Sequence, residues 1–146
     1  MKIVLQRVRE ASVVVEGRDV VRIGRGLCLL VGVEKGDTEA DVAALAREAV
    51  ELRIFPDARD KMNLSLLDVG GEVLAVPQFT LAGSTARGRR PSFDNAEAPA
   101  RAAALFDLFT AKIRERGLVV ATGVFRTVMD VHLINEGPVT FVLDSR

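Results

Sequence analysis

The sequence predicts a single α+β domain over residues 1–146, with mostly antiparallel, barrel- or sandwich-like sheets and two main helices. A chain of 146 residues is one domain's worth of protein. Runs rich in β-branched residues occupy both ends of the chain, and two segments between them place apolar residues at helical spacing. The resulting order, β-β-β-α-β-β-α-β-β-β, is not the alternating order of a doubly wound fold.

The first part of the chain, residues 2–34, is typical of β structure. Strands are predicted over Ile3–Val8 and Ser12–Glu16, and the polar residues 16–19 supply a turn before Val20–Ile23. The run Leu27–Val33 is continuously apolar, which is typical of a strand buried on both faces.

A helix is predicted over Thr38–Ile54. Asp37 or Thr38 can cap its first turn, and Asp41 stands where a capping box places an acid. Apolar residues recur at helical spacing at Val42, Leu45, Ala49 and Leu52. Phe55–Asp57, which contains a proline, is predicted to end the helix.

The middle of the chain predicts a hairpin, a long loop and a second helix. Leu64–Val69 and Glu72–Thr80 flank a Gly-Gly pair, and this arrangement is typical of a hairpin. Residues 82–95 are rich in Gly, Ser and Arg. The second helix is predicted over Ala96–Arg116, with Gly117 as its terminating residue.

Three further β runs close the chain. They are predicted over Leu118–Thr122, Val128–Ile134 and Val139–Leu143. No internal repeat, low-complexity tract or interdomain linker interrupts this order.

Composition excludes several classes of protein. The formal net charge of zero argues against a generally cationic nucleic-acid coat protein and against an acidic tail. The single cysteine, Cys28, lies in an apolar run and is interpreted as a buried small hydrophobe, so no disulfide framework is expected. The first residues lack the apolar core of a signal peptide, and no apolar run reaches the ~20 residues that span a bilayer. We expect a cytoplasmic protein.

The usual catalytic groups are scarce. His132 is the one histidine, and its neighbours Asp130 and Ile134 do not build a catalytic triad. A structural or solvent-facing His132 is the favoured interpretation. The sequence has no Walker loop and no GxGxxG motif, and we expect neither a metal nor a cofactor. An enzyme with this sequence has to work without the usual bases and nucleophiles.

Three clusters remain as candidates for a site. In the first, a strand enters a loop at Pro77–Leu81, where Gln78, Thr80 and main-chain N–H groups could bind a carbonyl or an oxyanion. The alternative there is a strand end with a buried Phe79. Because Pro77 has no N–H, this strand is expected to be an edge strand or to be broken at that residue.

The second cluster is Asn135–Thr140, in which a Gly-Pro pair stands between two predicted strands. A Gly-Pro bond adopts the cis form at modest cost, and a plain hairpin turn is the alternative. The third cluster is Arg87, Arg89 and Arg90, on a loop without acidic residues. These arginines could meet phosphates, and a solvated loop is the alternative.

Taken together, the sequence resembles the D-aminoacyl-tRNA deacylase family over the whole chain. The resemblance rests on segments that follow the family's order and spacing: Gln6–Val8 with Ala11–Val13, Gln78–Leu81, Gly88–Phe93 and Asn135–Thr140. One position departs from the family's pattern, because Pro77 stands where the first signature usually begins with Ser.

The resemblance implies a homodimer that hydrolyses the ester of D-aminoacyl-tRNA to free D-amino acid and tRNA. It implies that Gly137–Pro138 is a cis pair that enters the partner's pocket, supported by Arg7, and rejects L-aminoacyl esters. Glycine mischarged on alanine tRNA is a further expected substrate, since glycine has no side chain to clash.

The same resemblance assigns the remaining positions. Gln78, Phe79 and Thr80 are expected to line the catalytic pocket, and Phe125 and Met129 to lie near the terminal adenosine of tRNA. Two other hypotheses stay open: a dimeric RNA-binding module without catalysis, and a conventional hydrolase that uses Thr80 with His132.

Overall fold

The computed structural model describes all residues from Met1 to Arg146. The strands are Lys2–Val15 (β1), Arg18–Ile23 (β2), Gly26–Gly32 (β3), Phe55–Pro56 (β4), Met62–Leu64 (β5), Glu72–Pro77 (β6), Val120–Thr122 (β7) and Asp130–Asp144 (β8). The helices are Glu39–Glu51 (α1), Leu66–Val69 (α2) and Pro99–Arg114 (α3), with a 3₁₀ turn at Phe79–Ala82. The α+β class and the two main helices, α1 and α3, agree with the sequence prediction.

Strand β1 organises the main sheet. One edge of β1 pairs antiparallel with β3 over Lys2–Val8 and with β2 over Ala11–Val15. The other edge pairs antiparallel with β8 along almost its whole length. The sheet order is β2-β1-β3-β6-β7, and β2 also lies against β6 and β7, so the sheet curls towards a barrel.

Two strand pairs, β3–β6 and β6–β7, are parallel, which the expectation of mostly antiparallel sheets did not include. The cause is the connections, because α1 lies between β3 and β6 in the chain and α3 lies between β6 and β7. A parallel pair needs a long crossover, and a helix commonly supplies it.

The hydrophobic core has two parts, one on each face of the central strands. The larger part lies between the sheet and α1 and α3, and includes Leu29 of β3 and Phe109 of α3. The smaller part lies on the other face, where Val8 and Val13 of β1 pack with Cys28 of β3. The run 27–33 is therefore buried on both faces, as its continuous apolar character predicts.

Helix α1 begins as its sequence predicts. The Thr38 hydroxyl accepts a hydrogen bond from the Asp41 amide (3.2 Å), and the Asp41 carboxylate accepts one from the Thr38 amide (2.8 Å). The Thr38 hydroxyl and amide also lower the pKa of Asp41 by donating to its charged form. The helix ends at Glu51, three residues before the predicted end at Ile54, and Phe55–Pro56 continues as the short strand β4.

The hairpin predicted over residues 64–80 is wrong. Leu66–Val69 forms the short helix α2, because Ser65 and Asp68 make a second capping box at its start. The two glycines then lead into β6, with Gly70 as the left-handed residue that ends the helix. Strand β6 pairs with β3 and β7 and ends at Pro77, so the strand is broken at the proline as expected.

The two strands predicted over 128–134 and 139–143 are one strand, β8. Asn135–Thr140 does not reverse the chain, so the hairpin-turn interpretation of that segment is wrong. Register along β1 explains the continuity: Thr140 pairs with Gln6 and Asn135 pairs with Val8, so four residues of β8 stand opposite the single residue Arg7. The Gly-Pro pair is accommodated as a bulge, which interrupts the ladder without ending it.

No helix of the protein has the length and apolar character needed to cross a bilayer.

Candidate active site

The first part of the site is the segment that follows β6. The Gln78 amide donates to the Val31 carbonyl (2.8 Å), and the chain then turns through Phe79–Ala82. The Gln78 side-chain amide donates to the Thr80 hydroxyl. The main-chain N–H groups of Phe79 and Thr80 donate to no protein acceptor, as is usual for the first residues of a helical turn. Two adjacent donors are thereby left for a ligand oxygen.

The Phe79 ring is exposed, which contradicts the alternative of a strand end with a buried phenylalanine. Its exposed fraction is 60%, and its ring packs edge-on against Phe93 with centroids 5.1 Å apart. Gly83 permits this approach, because a Cβ there would stand 2.9 Å from the Thr80 carbonyl oxygen and 3.0 Å from the Phe93 ring. The pair forms an apolar wall beside the free main-chain donors.

The second part of the site is the β8 bulge, defined as residues 136–139. The Gly137–Pro138 peptide is cis, and both residues are exposed. The Asn135 side-chain amide closes the bulge by donating to the Arg7 carbonyl (2.9 Å) and to the Val139 carbonyl (3.1 Å). The sequence indicates Asn135 only as part of a turn, whereas its two hydrogen bonds span the ends of the bulge.

Arg7 holds the base of the bulge. Its side chain is almost fully buried, and its Nε donates to the Glu136 carbonyl (3.1 Å). One terminal nitrogen donates to the Ile54 carbonyl, and Nε also lies 3.3 Å from a carboxylate oxygen of Glu136. Arg7 thus connects the first residue of the bulge to the segment that follows α1.

The bulge and Gln78 are far apart within one chain. Arg7, which faces the bulge, pairs with Leu27, whereas Gln78 binds Val31, four residues further along β3. That offset is about 13 Å along the strands, and the three strand spacings from β8 to β6 add about 14 Å across the sheet. Gly137–Pro138 therefore does not reach the Gln78–Thr80 segment of its own chain.

Met129 and Phe125 lie on the loop between β7 and β8, where Met129 packs against the smaller part of the core and Phe125 against the larger part. A Cβ at Gly123 would stand 3.0 Å from the Met129 sulfur and 3.3 Å from the Pro77 ring. The Met129 sulfur accepts a hydrogen bond from the Val124 amide (3.2 Å). The structure thus brings this loop beside the start of the Gln78–Thr80 segment.

The arginine loop, residues 84–92, is closed at its base by hydrogen bonds and is exposed at its tip. Ser84 and Ser92 exchange two main-chain hydrogen bonds, of 2.8 and 2.9 Å. Arg87, Arg89 and Arg90 are exposed and form no ion pair within the chain. The three guanidinium groups are free to contact an anion.

His132 lies away from Thr80. His132 is exposed on β8 and pairs with Ser12 of β1. At the Thr80 segment, Gln78 binds Val31 of β3, and Val31 pairs with Ile3 of β1. Nine residues of β1 separate these two positions, on the order of 30 Å in an extended strand. The hypothesis of a hydrolase that pairs Thr80 with His132 of the same chain is therefore wrong.

Other reactive groups are placed as structural ones. Burial raises the pKa of the Cys28 thiol to about 11, so this thiol is protonated at neutral pH. No cluster of three or more His, Cys, Asp or Glu side chains with the geometry of a metal site is present.

Comparison with known proteins identifies the family. The family model described as D-Tyr-tRNA(Tyr) deacylase matches residues 4–144. The D-aminoacyl-tRNA deacylase of Geobacter sulfurreducens is 57% identical over 146 residues, which cover 100% of this chain and 96% of that one. The D-aminoacyl-tRNA deacylase of Bacillus velezensis is 54% identical over 146 residues, which cover 100% of this chain and 99% of the other.

Solved structures agree on the fold. A protein described as c-Myc DNA Unwinding Element Binding Protein superposes with a TM-score of 0.94 at 37% identity, covering 100% of this chain and 99% of its own. A probable eukaryotic D-amino acid tRNA deacylase superposes with a TM-score of 0.84 at 21% identity, covering 97% of each chain. The chain therefore belongs to the D-aminoacyl-tRNA deacylase family of tRNA-editing hydrolases.

Proposed function

We propose that the protein acts as a homodimer in which Gly137–Pro138 of one protomer enters the Gln78–Thr80 pocket of the other. There the pocket hydrolyses the ester of D-aminoacyl-tRNA to D-amino acid and tRNA and rejects L-aminoacyl-tRNA. The observation that carries this proposal is the β8 bulge, whose Gly137–Pro138 pair is exposed, whose base is held by Arg7, and which is out of reach of its own Gln78.

The edge of β8 supports the dimer. Strand β8 has 15 residues and pairs only with β1, so its outer edge offers free main-chain hydrogen-bonding groups. Ile134, Phe141 and Val142 on this strand are exposed, with Val142 reaching 68%. Long apolar edges are normally covered in native proteins, and a second copy of this chain is the cover we propose.

Chiral selection follows from the chemistry of the bulge. Main-chain carbonyls of Gly137 and Pro138 accept hydrogen bonds from the substrate's amino group and fix its direction. An L side chain then points into the inserted main chain and clashes, whereas a D side chain points away. Glycine has no side chain and is not rejected, so glycine mischarged on alanine tRNA is a second substrate.

Catalysis relies on position and main-chain donors. The N–H groups of Phe79 and Thr80 stabilise the oxyanion of the ester carbonyl, and the ribose 2′-OH of tRNA assists attack by water. The terminal adenosine lies near Phe125 and Met129. No resident cofactor or metal takes part in this scheme, and the activity belongs in the cytoplasm with its tRNA substrate.

The decisive experiment measures ester loss from matched D- and L-aminoacyl-tRNA, together with the mass of the protein in solution. The proposal expects a dimer that hydrolyses the D ester and spares the L ester. Survival of both esters with retained tRNA binding would instead favour the dimeric RNA-binding module. A monomer with full D-specific activity would contradict insertion by the partner.

Replacement of Thr80 by Ala should leave most of the activity. The Thr80 hydroxyl accepts a hydrogen bond from Gln78 and has no base beside it, so it is a weak nucleophile. We expect kcat/KM for the D ester to stay within about tenfold of wild type, whereas loss of a true nucleophile costs on the order of 10⁶. His132→Ala serves as the control and should be unchanged. A loss of four orders of magnitude or more in Thr80→Ala would restore the nucleophile hypothesis.

The arginine loop is proposed to contact tRNA phosphates. Replacing Arg87, Arg89 and Arg90 by Ala should reduce the slope of log affinity against log salt by about two to three units. Turnover at saturating tRNA should remain near wild type, because the loop does not touch the reacting ester. The charge-matched control removes three other exposed arginines, Arg18, Arg47 and Arg59, and should keep the slope. An unchanged slope in the loop variant would show that the loop is only solvated.

A further inference from the structure

Glu136 is the first residue of the β8 bulge, and its side chain is not used by the proposed mechanism. Its Oε2 is shielded from solvent and forms no hydrogen bond within the chain. The same oxygen lies 3.3 Å from Nε of Arg7 and 3.7 Å from Nε of Arg25, so two guanidinium groups flank it. The attraction of two cations stabilises this shielded carboxylate. Removing either cation leaves the negative charge of the carboxylate less well compensated.

Arg25 is placed by its surroundings. It lies in the short connection between β2 and β3, and its carbonyl accepts a hydrogen bond from the Glu72 amide (3.0 Å). Its guanidinium carbon lies 5.3 Å from the centroid of the Phe55 ring. The Arg7 guanidinium carbon lies 6.0 Å from the same centroid, and Phe55 is fully buried.

The fixed phenylalanine ring therefore supports both cations. Contact of a guanidinium with an aromatic face is attractive and restricts the side chain. The chain of contacts runs from the buried Phe55 to Arg25 and Arg7, and from these to the carboxylate of Glu136. Glu136 is the first residue of the bulge, so its position sets where Gly137 begins.

We propose that Glu136 is a positioning residue for Gly137–Pro138, and that Arg25 is the second support of its carboxylate, beside Arg7. The proposal rests on the function proposed above, because Gly137–Pro138, the pair that Glu136 positions, is the feature proposed to reject L-aminoacyl esters. Arg7 supports the bulge through a main-chain carbonyl as well, whereas Arg25 acts only through the Glu136 carboxylate. Arg25 is therefore the variant that isolates this contact.

The test compares Arg25→Gln, Glu136→Gln and the double variant with wild type, with exposed Arg18→Gln as the charge-matched control. We expect each single variant to lose about tenfold in the ratio of D- to L-ester hydrolysis, and Arg18→Gln to lose none. The double variant should be no worse than Glu136→Gln, because residues that act through one contact are not additive. Glu136→Asp, which keeps the carboxylate, should retain more selectivity than Glu136→Gln.

A second readout does not depend on activity. In ¹H–¹⁵N spectra of the intact protein, the Gly137 and Val139 amide signals should move in Arg25→Gln, where the substituted residue is remote in sequence from both amides, but stay in Arg18→Gln. Unmoved signals, or selectivity losses that add in the double variant, would overturn the positioning role. If wild type hydrolyses neither ester, the proposed function fails, and the amide signals alone still decide whether Arg25 and Glu136 position the bulge.

Discussion

Gly137→Ala is expected to lower kcat/KM for D-aminoacyl-tRNA by about 100-fold, because displacement of a positioning group by about 1 Å has effects of that size. A Cβ at Gly137 would stand 2.9 Å from the Asn135 side-chain oxygen, closer than real Cβ contacts. Asn135 has little freedom to retreat, since its amide nitrogen donates to the carbonyls of Arg7 and Val139. The added methyl group therefore has to move the bulge, or break the hydrogen bonds that close it.

Stability should change much less than activity in this variant. Breaking the two Asn135 hydrogen bonds removes about 1–3 kcal/mol at most, so the protein stays folded. Gly24→Ala is the matched control, because a Cβ there meets only the Glu72 carboxylate at 3.8 Å, an ordinary contact. Hydrolysis assays on both esters and a melting curve settle the prediction. D-specific turnover equal to wild type in Gly137→Ala would contradict the role of the bulge.

Local signals in the sequence predicted most of the helical structure. The capping residues Thr38 and Asp41 lie only three positions apart in the sequence, and the first helix begins where they place it. Ser65 and Asp68 form the same kind of capping box, but the Gly-Gly pair that follows them is also typical of a hairpin, so the sequence favours the wrong element there. The capping box is the stronger signal here, because its two side chains satisfy the first main-chain N–H groups of the helix locally. In a hairpin the same N–H groups would need acceptors on the partner strand.

Long-range pairing explains what the sequence could not predict. In the sequence alone, the bulge resembles a turn. β8 continues as one strand because β1 is long enough to pair with it on both sides of the bulge. The contacts of Glu136 with Arg25 join positions more than 100 residues apart, and no local pattern encodes them. Gln78, Gly137 and Arg7 are predicted site positions because the segments that carry them resemble the family's motifs in order and spacing.

Arg7→Ala is expected to lower both stability and selectivity, because Arg7 joins three groups at once. Its guanidinium donates to the Glu136 and Ile54 carbonyls and balances the Glu136 carboxylate. Removing one member of a buried ion pair leaves the other uncompensated, which costs about 3 kcal/mol at the lower end of the known range. We take the lower end because Arg25 still lies near that carboxylate. For a domain of this size the loss corresponds to a fall in Tm of about 6–12 °C.

The conservative variant separates charge from geometry. Arg7→Lys keeps a positive charge near Glu136 but has no planar fork to reach two carbonyls at once. We expect it to recover part of the Tm while the ratio of D- to L-ester hydrolysis stays low. Arg9→Ala, an exposed position on the same strand, should match wild type in both measurements. If Arg7→Ala kept the wild-type ratio despite a lower Tm, Arg7 would be a stabilising residue alone, and the bulge would have to be held by Asn135 and Glu136 without it.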